Sequence, residues 1–287
     1  DDFIQPSKNM KILIQNHTLA ARTHAGCLPG AILLAGLLAA PAQPLQPEVL
    51  ASLGGTNGAY PWSGLTLGND GNFYGTNQQG GSGGVGTVFQ MTPDGALTTL
   101  VSLNVTNGAY PEAALTLGSD GNLYGTTQQG GSGYGTVFKV TTNGTFTTLV
   151  SFNNTKGASP QGALTLGSDG RLYGTTPFGG TSGGGTVYCV TTNGALTTLA
   201  SFTYANGGNN ANGSEPYAAP ALGSDGNLYG TTSRGGSSGA GTVFKVTTNG
   251  ILTTLASFNV ANGSDPMAAL TLGPDGSFYG TTRNGGI

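Results

Sequence analysis

The chain has 287 residues and a formal net charge of −3 at pH 7, and it contains 53 glycines and 14 prolines. From Gln43 onward, six basic residues stand against ten acidic ones, which argues against a nucleic-acid backbone or an anionic membrane surface as partner. Its two histidines, His17 and His24, both precede Gln43. The rest of the chain therefore cannot form Ser-His-Asp or Cys-His nucleophile systems or histidine metal sites.

The first 42 residues are predicted to be residues of upstream translation (1–9) followed by an export signal. The apolar segment from Ala31 to Ala40 is too short to span a bilayer comfortably, but it is typical of a signal-peptide core. Ala40-Pro41-Ala42 supplies the small residues of a cleavage site, so we expect a mature chain that begins near Gln43 and is secreted or held at the cell surface. A retained N-terminal membrane anchor is the alternative.

The remaining chain is a tandem array. The phrase YGT begins at Tyr74, Tyr124, Tyr173, Tyr229 and Tyr279, and the phrase GTV begins at Gly86, Gly135, Gly185 and Gly241. A period of about 50 residues is typical of solenoids and propellers. We interpret residues 43–287 as one repeat domain with units at about 60–104, 110–153, 159–203 and 215–259, and an incomplete unit at 266–287. The last unit stops before its GTV phrase, which we interpret as the mark of a longer protein.

One unit, from Pro111 to Phe152, predicts four strands, in the order "AALTLG", "NLYGTT", "TVFKVTT" and "TFTTLVSF". Asp120-Gly121 and Asn143-Gly144 form tight hairpin turns between them, because Asp-Gly and Asn-Gly supply the positive φ angles that such turns require. A glycine-rich loop, "QQGGSGYG", joins the second strand to the third. The segment "EVLASL", before the first unit, resembles an outermost strand.

Both faces of these strands carry apolar residues. One parity has Val137 and Leu149, and the other has Phe138, Val140, Phe146 and Val150. Four-stranded sheets that are buried on both faces and repeat at this length are typical of propeller blades. We therefore predict an all-β protein, a partial or truncated β-propeller whose first strand is innermost, with a β-solenoid as the alternative.

The string "LYGTT..GG..G.GTVFKVTT.G" resembles the GloVer (Gloeo/Verruco) tandem repeat, and the resemblance covers about residues 54–287. It implies an exported bacterial β-repeat protein, often carried with C-terminal surface-sorting signals. It implies no reaction and no catalytic residues. No such C-terminal signal is seen in this sequence.

Several motifs that resemble functional sites have a structural role that requires no ligand and no reaction. Cys189 aligns with Lys139 in the third strand, and a lone thiol forms neither an internal disulfide nor a cysteine zinc site. We interpret Cys189 as a tolerated substitution in the strand, with a reactive thiol as the alternative. An aspartate recurs in the Asp-Gly turns, at Asp70, Asp120, Asp169, Asp225 and Asp275. An Asx-type turn explains its presence, and calcium binding is the alternative. The glycine-rich loops lack the lysine and helix of a phosphate-binding loop. We expect no metal, no cofactor and no catalytic residue.

A binding site is predicted on one face of the array, because loops that vary between units carry function while uniform turns form the scaffold. The variable residues flank a recurring proline in the loops between units, and we select as ligand-binding candidates Tyr60, Trp62, Tyr110, Glu112, Gln161, Glu215, Tyr217 and Asp265. Loops between the second and third strands add Gln78, Gln79, Gln128, Gln129, Phe178 and Arg234.

Aromatic side chains beside amides and carboxylates suit a polar ligand such as a glycan, or an extracellular protein. The same aromatics also fit a role in packing loops onto the blades. We expect a non-enzymatic binding or adhesion module. The alternative is a polysaccharide hydrolase or lyase that uses Glu112 with Glu215 or Asp265 as a carboxylate pair.

Overall fold

The computed structural model describes residues 11–15 as backbone, and residues 48–204 and 210–286 in full. Apart from residues 11–15, the predicted signal segment lies outside the described residues, and so does its cleavage site. No helix among the described residues has the length and apolar character that a membrane crossing requires.

The described chain consists of strands joined by turns. Two strands, β1 (Lys11–Gln15) and β2 (Glu48–Leu53), and a 3₁₀ turn (Gly55–Asn57) precede the complete sheets. The first sheet contains β3 (Thr66–Leu67), β4 (Phe73–Asn77), β5 (Thr87–Met91) and β6 (Leu97–Ser102). The second contains β7 (Thr116–Leu117), β8 (Leu123–Thr127), β9 (Thr136–Val140) and β10 (Phe146–Ser151). The third contains β11 (Thr165–Leu166), β12 (Leu172–Thr176), β13 (Gly183–Val190) and β14 (Leu196–Thr203). The fourth contains β15 (Ala221–Leu222), β16 (Leu228–Thr232), β17 (Thr242–Val246) and β18 (Leu252–Ser257), and β19 (Thr271–Leu272) and β20 (Phe278–Tyr279) form a final pair.

The architecture is that of consecutive propeller blades. In each complete sheet the four strands follow chain order and are antiparallel to their neighbours. The first strand is the innermost, since β3 contacts β7 and β7 contacts β11. In the first three blades, a threonine of the first strand donates to a carbonyl just before the next first strand, as in Thr66 Oγ1 to Leu115 O at 2.6 Å and Thr116 Oγ1 to Leu164 O at 2.6 Å. The propeller prediction is confirmed, and the β-solenoid alternative does not fit these antiparallel sheets.

Glycine inside a strand makes room for a large neighbour. Gly125 in β8 pairs with Phe138 in β9, and a Cβ added to Gly125 would lie 2.4 Å from the Cζ atom of that ring. At Gly121, in contrast, an added Cβ would meet only Asn69 Nδ2, at an ordinary contact distance of 3.6 Å, and φ is +76°, so its turn conformation is what requires glycine.

The second and third sheets bury both of their faces. Phe138 and Val140 pack towards the first blade in a cluster with Tyr74 and Val88. The opposite face of the second sheet packs towards the third blade. On that face, Val137 and Val150 belong to one further cluster. Our parity assignment of Val150 was wrong: the register between β9 and β10 shifts between Thr148 and Val150, so Val150 lies opposite Val137. A bulge of this kind places an extra residue in one strand and changes the side of those that follow.

Strand β2 has the position of an outermost strand, as its sequence predicts. The turn glycine of each blade abuts a carbonyl in the outer strand of the preceding blade: Gly144 faces Leu100 O, and Gly95 faces Leu50 O in β2 in the same way. Strand β1, which we did not predict, pairs in parallel with β2.

Candidate functional site

The loops between blades and the loops between the second and third strands lie on one face, which we call the upper face. Isolated bridges join the two kinds of loop in every unit, at Ala59–Gln79, Ala109–Gln129, Ala158–Phe178, Ser214–Arg234 and Ser264–Asn284. The Asp-Gly and Asn-Gly turns form the lower face. The predicted division into two faces is therefore what the structure shows.

The residue before the recurring proline has a strained backbone, which sequence reasoning missed. It has positive φ in all five units although it is never glycine, at Tyr60 (57°), Tyr110 (57°), Ser159 (56°), Glu215 (61°) and Asp265 (57°). Residues other than glycine are uncommon in this conformation, and it costs about 1–3 kcal/mol.

Contacts to two blades hold this conformation. In the second unit, Tyr110 N donates to Val85 O of the first blade at 2.8 Å, and Tyr110 O accepts from Gln128 N of its own blade at 3.1 Å. The following residue, Pro111, packs against Gly86 of the first blade. A Cβ added to Gly86 would lie 2.6 Å from the Cδ atom of Pro111. The strain therefore stems from joining neighbouring blades, which is why local sequence patterns do not reveal it.

The aromatic candidates of the first unit are the most exposed. The side chain of Trp62 is 67% exposed and that of Tyr60 is 49% exposed, whereas Tyr110 is half-buried. Glu112, also half-buried, reaches back to the first blade, where its Oε1 accepts a hydrogen bond from Gln78 Nε2 at 2.8 Å. Gln161 is half-buried in the third unit.

The structure brings together Glu215 and Tyr217 with two residues of the neighbouring loops. Glu215 is 5% exposed, and its Oε2 lies 3.2 Å from Arg234 Nε and 3.4 Å from the Tyr217 hydroxyl, which donates to it. The Tyr217 ring packs edge-on against Phe178 of the third blade, with 6.1 Å between ring centroids. We call these four residues the blade 3–4 cluster.

Asp265 of the last unit lies beside this cluster. Its Oδ2 is 3.6 Å from Arg283 Nη1, and its negative charge acts on Tyr217. Burial raises the pKa of Tyr217 to about 12, with further contributions from the charge of Glu215 and from the hydrogen bond to it. Tyr217 is therefore a neutral hydrogen-bond donor across the physiological range.

On the lower face, each recurring aspartate is engaged within its own turn. Asp120 Oδ1 accepts from Asn122 N at 3.1 Å, while its Oδ2 accepts from Asn122 Nδ2 at 2.7 Å and from the Tyr124 hydroxyl at 2.8 Å. The Asx-type turn is confirmed by these contacts. Among the described residues, no group of three histidine, cysteine or acidic side chains is placed to hold a metal ion.

The tyrosine contact was not predicted, although the spacing D-G-x-[LF]-Y recurs in every unit. Cys189 pairs across the sheet with Tyr173, as Lys139 pairs with Tyr124, and it is 2% exposed within an apolar cluster. This burial agrees with the interpretation of Cys189 as a tolerated substitution in the strand.

The chain is similar to several solved structures at low sequence identity. No curated protein matches the chain. The extracellular domain of a candidate hybrid two component system from B. thetaiotaomicron is similar in structure, with a TM-score of 0.52 at 10% identity over 79% of this chain and 26% of that one. A gluconolactonase from Xanthomonas campestris has a TM-score of 0.47 at 13% identity over 79% of this chain and 71% of that one. At 10% identity, the likeness to the B. thetaiotaomicron domain concerns the fold alone.

A sequence family covers the repeats themselves. Residues 41–213 and 207–287 match the Gloeobacter/Verrucomicrobia repeat, so the chain belongs to this repeat family.

Proposed function

We propose that the chain is an exported, non-enzymatic repeat module that binds a polar extracellular ligand, with a glycan as the favoured class, through its upper face. One observation carries this proposal: the exposed aromatic side chains of the described residues are Tyr60, Trp62, Tyr134, Phe178, Tyr204 and Tyr279, and all but Tyr279 lie on upper-face loops. Aromatic rings that expose an apolar face beside polar groups suit the alternating apolar and hydroxyl surfaces of a sugar.

The strained residues support the choice of face. Each unit holds a side chain other than glycine at the positive-φ position before proline, although glycine would adopt this conformation without strain. Strain of this kind concentrates at functional sites. In the first, second, fourth and fifth units the strained residue is aromatic or acidic, so it brings to this face side chains that suit ligand contact.

The engagement of the acidic side chains favours binding over polysaccharide cleavage. Glycoside hydrolysis requires two carboxyl groups about 5–10 Å apart, one of which exchanges a proton with the substrate. Glu215 is instead ion-paired with Arg234 at 3.2 Å, and Glu112 accepts from Gln78 at 2.8 Å. Both carboxylates thus have partners that suit a static, ligand-orienting surface.

A glycan array tests the proposal. The purified chain is compared with a Trp62→Ala/Tyr217→Ala double variant and with a control variant, Ile251→Ala, which removes a 60% exposed side chain from the lower face. We expect the double variant to lose binding and the control to retain it. Undiminished binding by the double variant, or turnover of a bound polysaccharide, would contradict the proposal.

Export is tested separately. Mature protein recovered outside the cytoplasm is expected to begin near Gln43, because the small residues Ala40 and Ala42 precede this position. N-terminal sequencing of the extracellular or cell-surface fraction checks this. A soluble cytoplasmic protein with an intact N-terminus would refute export.

A further inference from the structure

We propose that the blade 3–4 cluster is a subsite for a sugar that carries a carboxylate, in which Arg234 binds the carboxylate and the Phe178 and Tyr217 rings contact the sugar ring. This inference rests on the proposed function and names the chemical class of one part of its ligand. It goes beyond the neutral polar ligand that the exposed aromatics alone suggest.

The first support is that the required groups are contiguous. Glu215 Oε2 is shared between Arg234 Nε at 3.2 Å and the Tyr217 hydroxyl at 3.4 Å. Tyr217 in turn contacts Phe178. A cation, a hydroxyl whose proton is donated to Glu215, and an apolar ring therefore follow one another across the junction of two blades. A uronic acid residue would meet the cation with its carboxylate and the apolar ring with its pyranose.

The second support is the orientation of the ion pair. The Arg234 side chain is 66% exposed, whereas that of Glu215 is 7% exposed, so the carboxylate lies inside and the guanidinium outside. A guanidinium has five donors in a planar fork, and the contact to Glu215 is made through Nε. Donors on its solvent side are available to bind a planar carboxylate in a bidentate manner.

The third support is that Arg234 is positioned before any ligand arrives. Its backbone is bridged to Ser214 by two hydrogen bonds, Ser214 N to Arg234 O at 2.9 Å and Arg234 N to Ser214 O at 3.2 Å. Glu215, which follows Ser214, holds the side chain. Since less conformational freedom remains to be lost on binding, such pre-organisation favours affinity.

A second guanidinium extends the cationic surface. Arg283 is 68% exposed and pairs with Asp265, which is 31% exposed, so this pair also turns its positive end outward. The upper face at the fourth and fifth units therefore presents two guanidinium groups, although the chain as a whole is acidic. Each of these pairs is neutral as a whole, so an anionic ligand would meet outward-facing guanidinium donors rather than a net positive charge.

The aromatic pair favours a sugar acid over a small inorganic anion. Phe178 is 38% exposed and lies edge-on to Tyr217, so part of its ring surface is open to a ligand. A phosphate or sulfate ion would gain nothing from this apolar surface, whereas the C–H face of a pyranose ring would pack on it.

Calorimetric titration with an oligogalacturonide and with its carboxyl-reduced counterpart tests the subsite. We expect tighter binding of the acidic form by about tenfold or more, the size of effect for a hydrogen bond to a charged group. Arg234→Ala should abolish this preference. The matched control is Arg171→Ala, which removes an equal charge from a lower-face pair, Arg171 with Asp169 at 3.8 Å, and should leave the preference intact.

Two further measurements separate recognition from damage to the fold. Arg234→Lys keeps the charge opposite buried Glu215 but lacks the fork, so we expect a melting temperature close to that of the parent and a lost preference. Phe178→Ala should weaken binding of the acidic and the reduced ligand alike. Preference for a sulfated oligosaccharide over the uronate would overturn the assignment of a carboxylate.

The possible failures are distinguishable. Equal affinity for the acidic and reduced oligosaccharides, or equal losses in Arg171→Ala and Arg234→Ala, would overturn the subsite. If binding of neutral glycans still depended on Trp62 and Tyr217, the proposed function would stand without the subsite. Absence of binding to every glycan would overturn both.

Discussion

The hydroxyl of Tyr124 donates a hydrogen bond to Asp120 Oδ2 at 2.8 Å, and this contact joins the start of one hairpin turn to the strand that leaves it. The ring of Tyr124 is fully buried while its hydroxyl reaches the turn at the lower face. The contact recurs in every unit, as Tyr74–Asp70, Tyr173–Asp169, Tyr229–Asp225 and Tyr279–Asp275, at 2.6–2.9 Å. Each of these Asp-Gly turns is thus tied to the strand that follows it.

Tyr124→Phe is expected to lower the free energy of unfolding by about 1 kcal/mol, because it removes a hydrogen bond to a charged but solvent-exposed group. Urea unfolding followed by circular dichroism measures the change. The matched control is Tyr279→Phe, whose parent side chain is 58% exposed and should contribute less. Equal losses in the two variants would show that burial of the tyrosine does not strengthen the contact.

Stability is expected to depend on pH through the same pair. Burial alone would raise the pKa of Asp120, but hydrogen bonds from Asn122 and Tyr124 outweigh it and hold the pKa below the ordinary 3.8. The ionised Asp120 therefore contributes to the free energy of unfolding. This contribution is complete above pH 3.8, the pKa of the unfolded state, and is lost as the pH falls through the lower pKa of the folded state.

At high pH, ionisation of Tyr124 is expected to lower the stability. Burial, and then the contact with Asp120, raise the pKa of Tyr124 above 10.0, so its contribution is complete below pH 10.0 and is lost above it as the pH rises through the folded-state pKa. Urea midpoints measured across pH should fall at both ends. Asp120→Asn should make the acid limb shallower by one aspartate's share, because the pKa of the aspartate is lowered in the other four units as well. An unchanged acid limb would contradict the assignment.

Tyr188→Phe is expected to stabilise the protein by about 1–2 kcal/mol, because a buried hydroxyl without a partner is costly. Tyr188 Oη is buried and has no hydrogen-bond partner in the described structure, and burial strongly raises the pKa of this side chain. The equivalent positions hold phenylalanine, at Phe89, Phe138 and Phe244. Thermal unfolding measures the gain, and the reverse change, Phe138→Tyr, should destabilise; a stabilising Phe138→Tyr would refute the explanation.

Two glycines four residues apart should respond differently to alanine. Gly121→Ala introduces strain at φ +76° but causes no clash, since its Cβ would lie 3.6 Å from Asn69 Nδ2, so a loss of about 1 kcal/mol is expected. Gly125→Ala places a Cβ 2.4 Å from the Phe138 ring and should cost more, about 1–3 kcal/mol or above. Gly121→Val should exceed Gly121→Ala, since a β-branched residue fits positive φ poorly.

Because Gly121 and Gly125 lie away from the upper face, glycan binding by the folded fraction should not change in these variants. Binding lost in a variant that melts like the parent would place a site at the Asp-Gly turn instead. Denaturant titration and glycan binding on the same samples make this comparison.

The sequence by itself determined the repeat, the four strands of each unit and the position of their turns. These features depend on local requirements: Gly121 and Gly144 supply positive φ, and the apolar residues between them supply two buried faces. The place of β2 could also be predicted, because its sequence resembles that of the outer strands.

Only the tertiary structure decided which residues meet on the upper face and at what conformational cost. Glu215 and Arg234 are 19 positions apart, and their contact depends on a bridge between two loops. The positive φ of Tyr110 arises because its N–H and C=O bond to different blades, and Val150 changes sides because a bulge precedes it. These outcomes depend on neighbouring blades and strand register, and no short stretch of sequence contains that information.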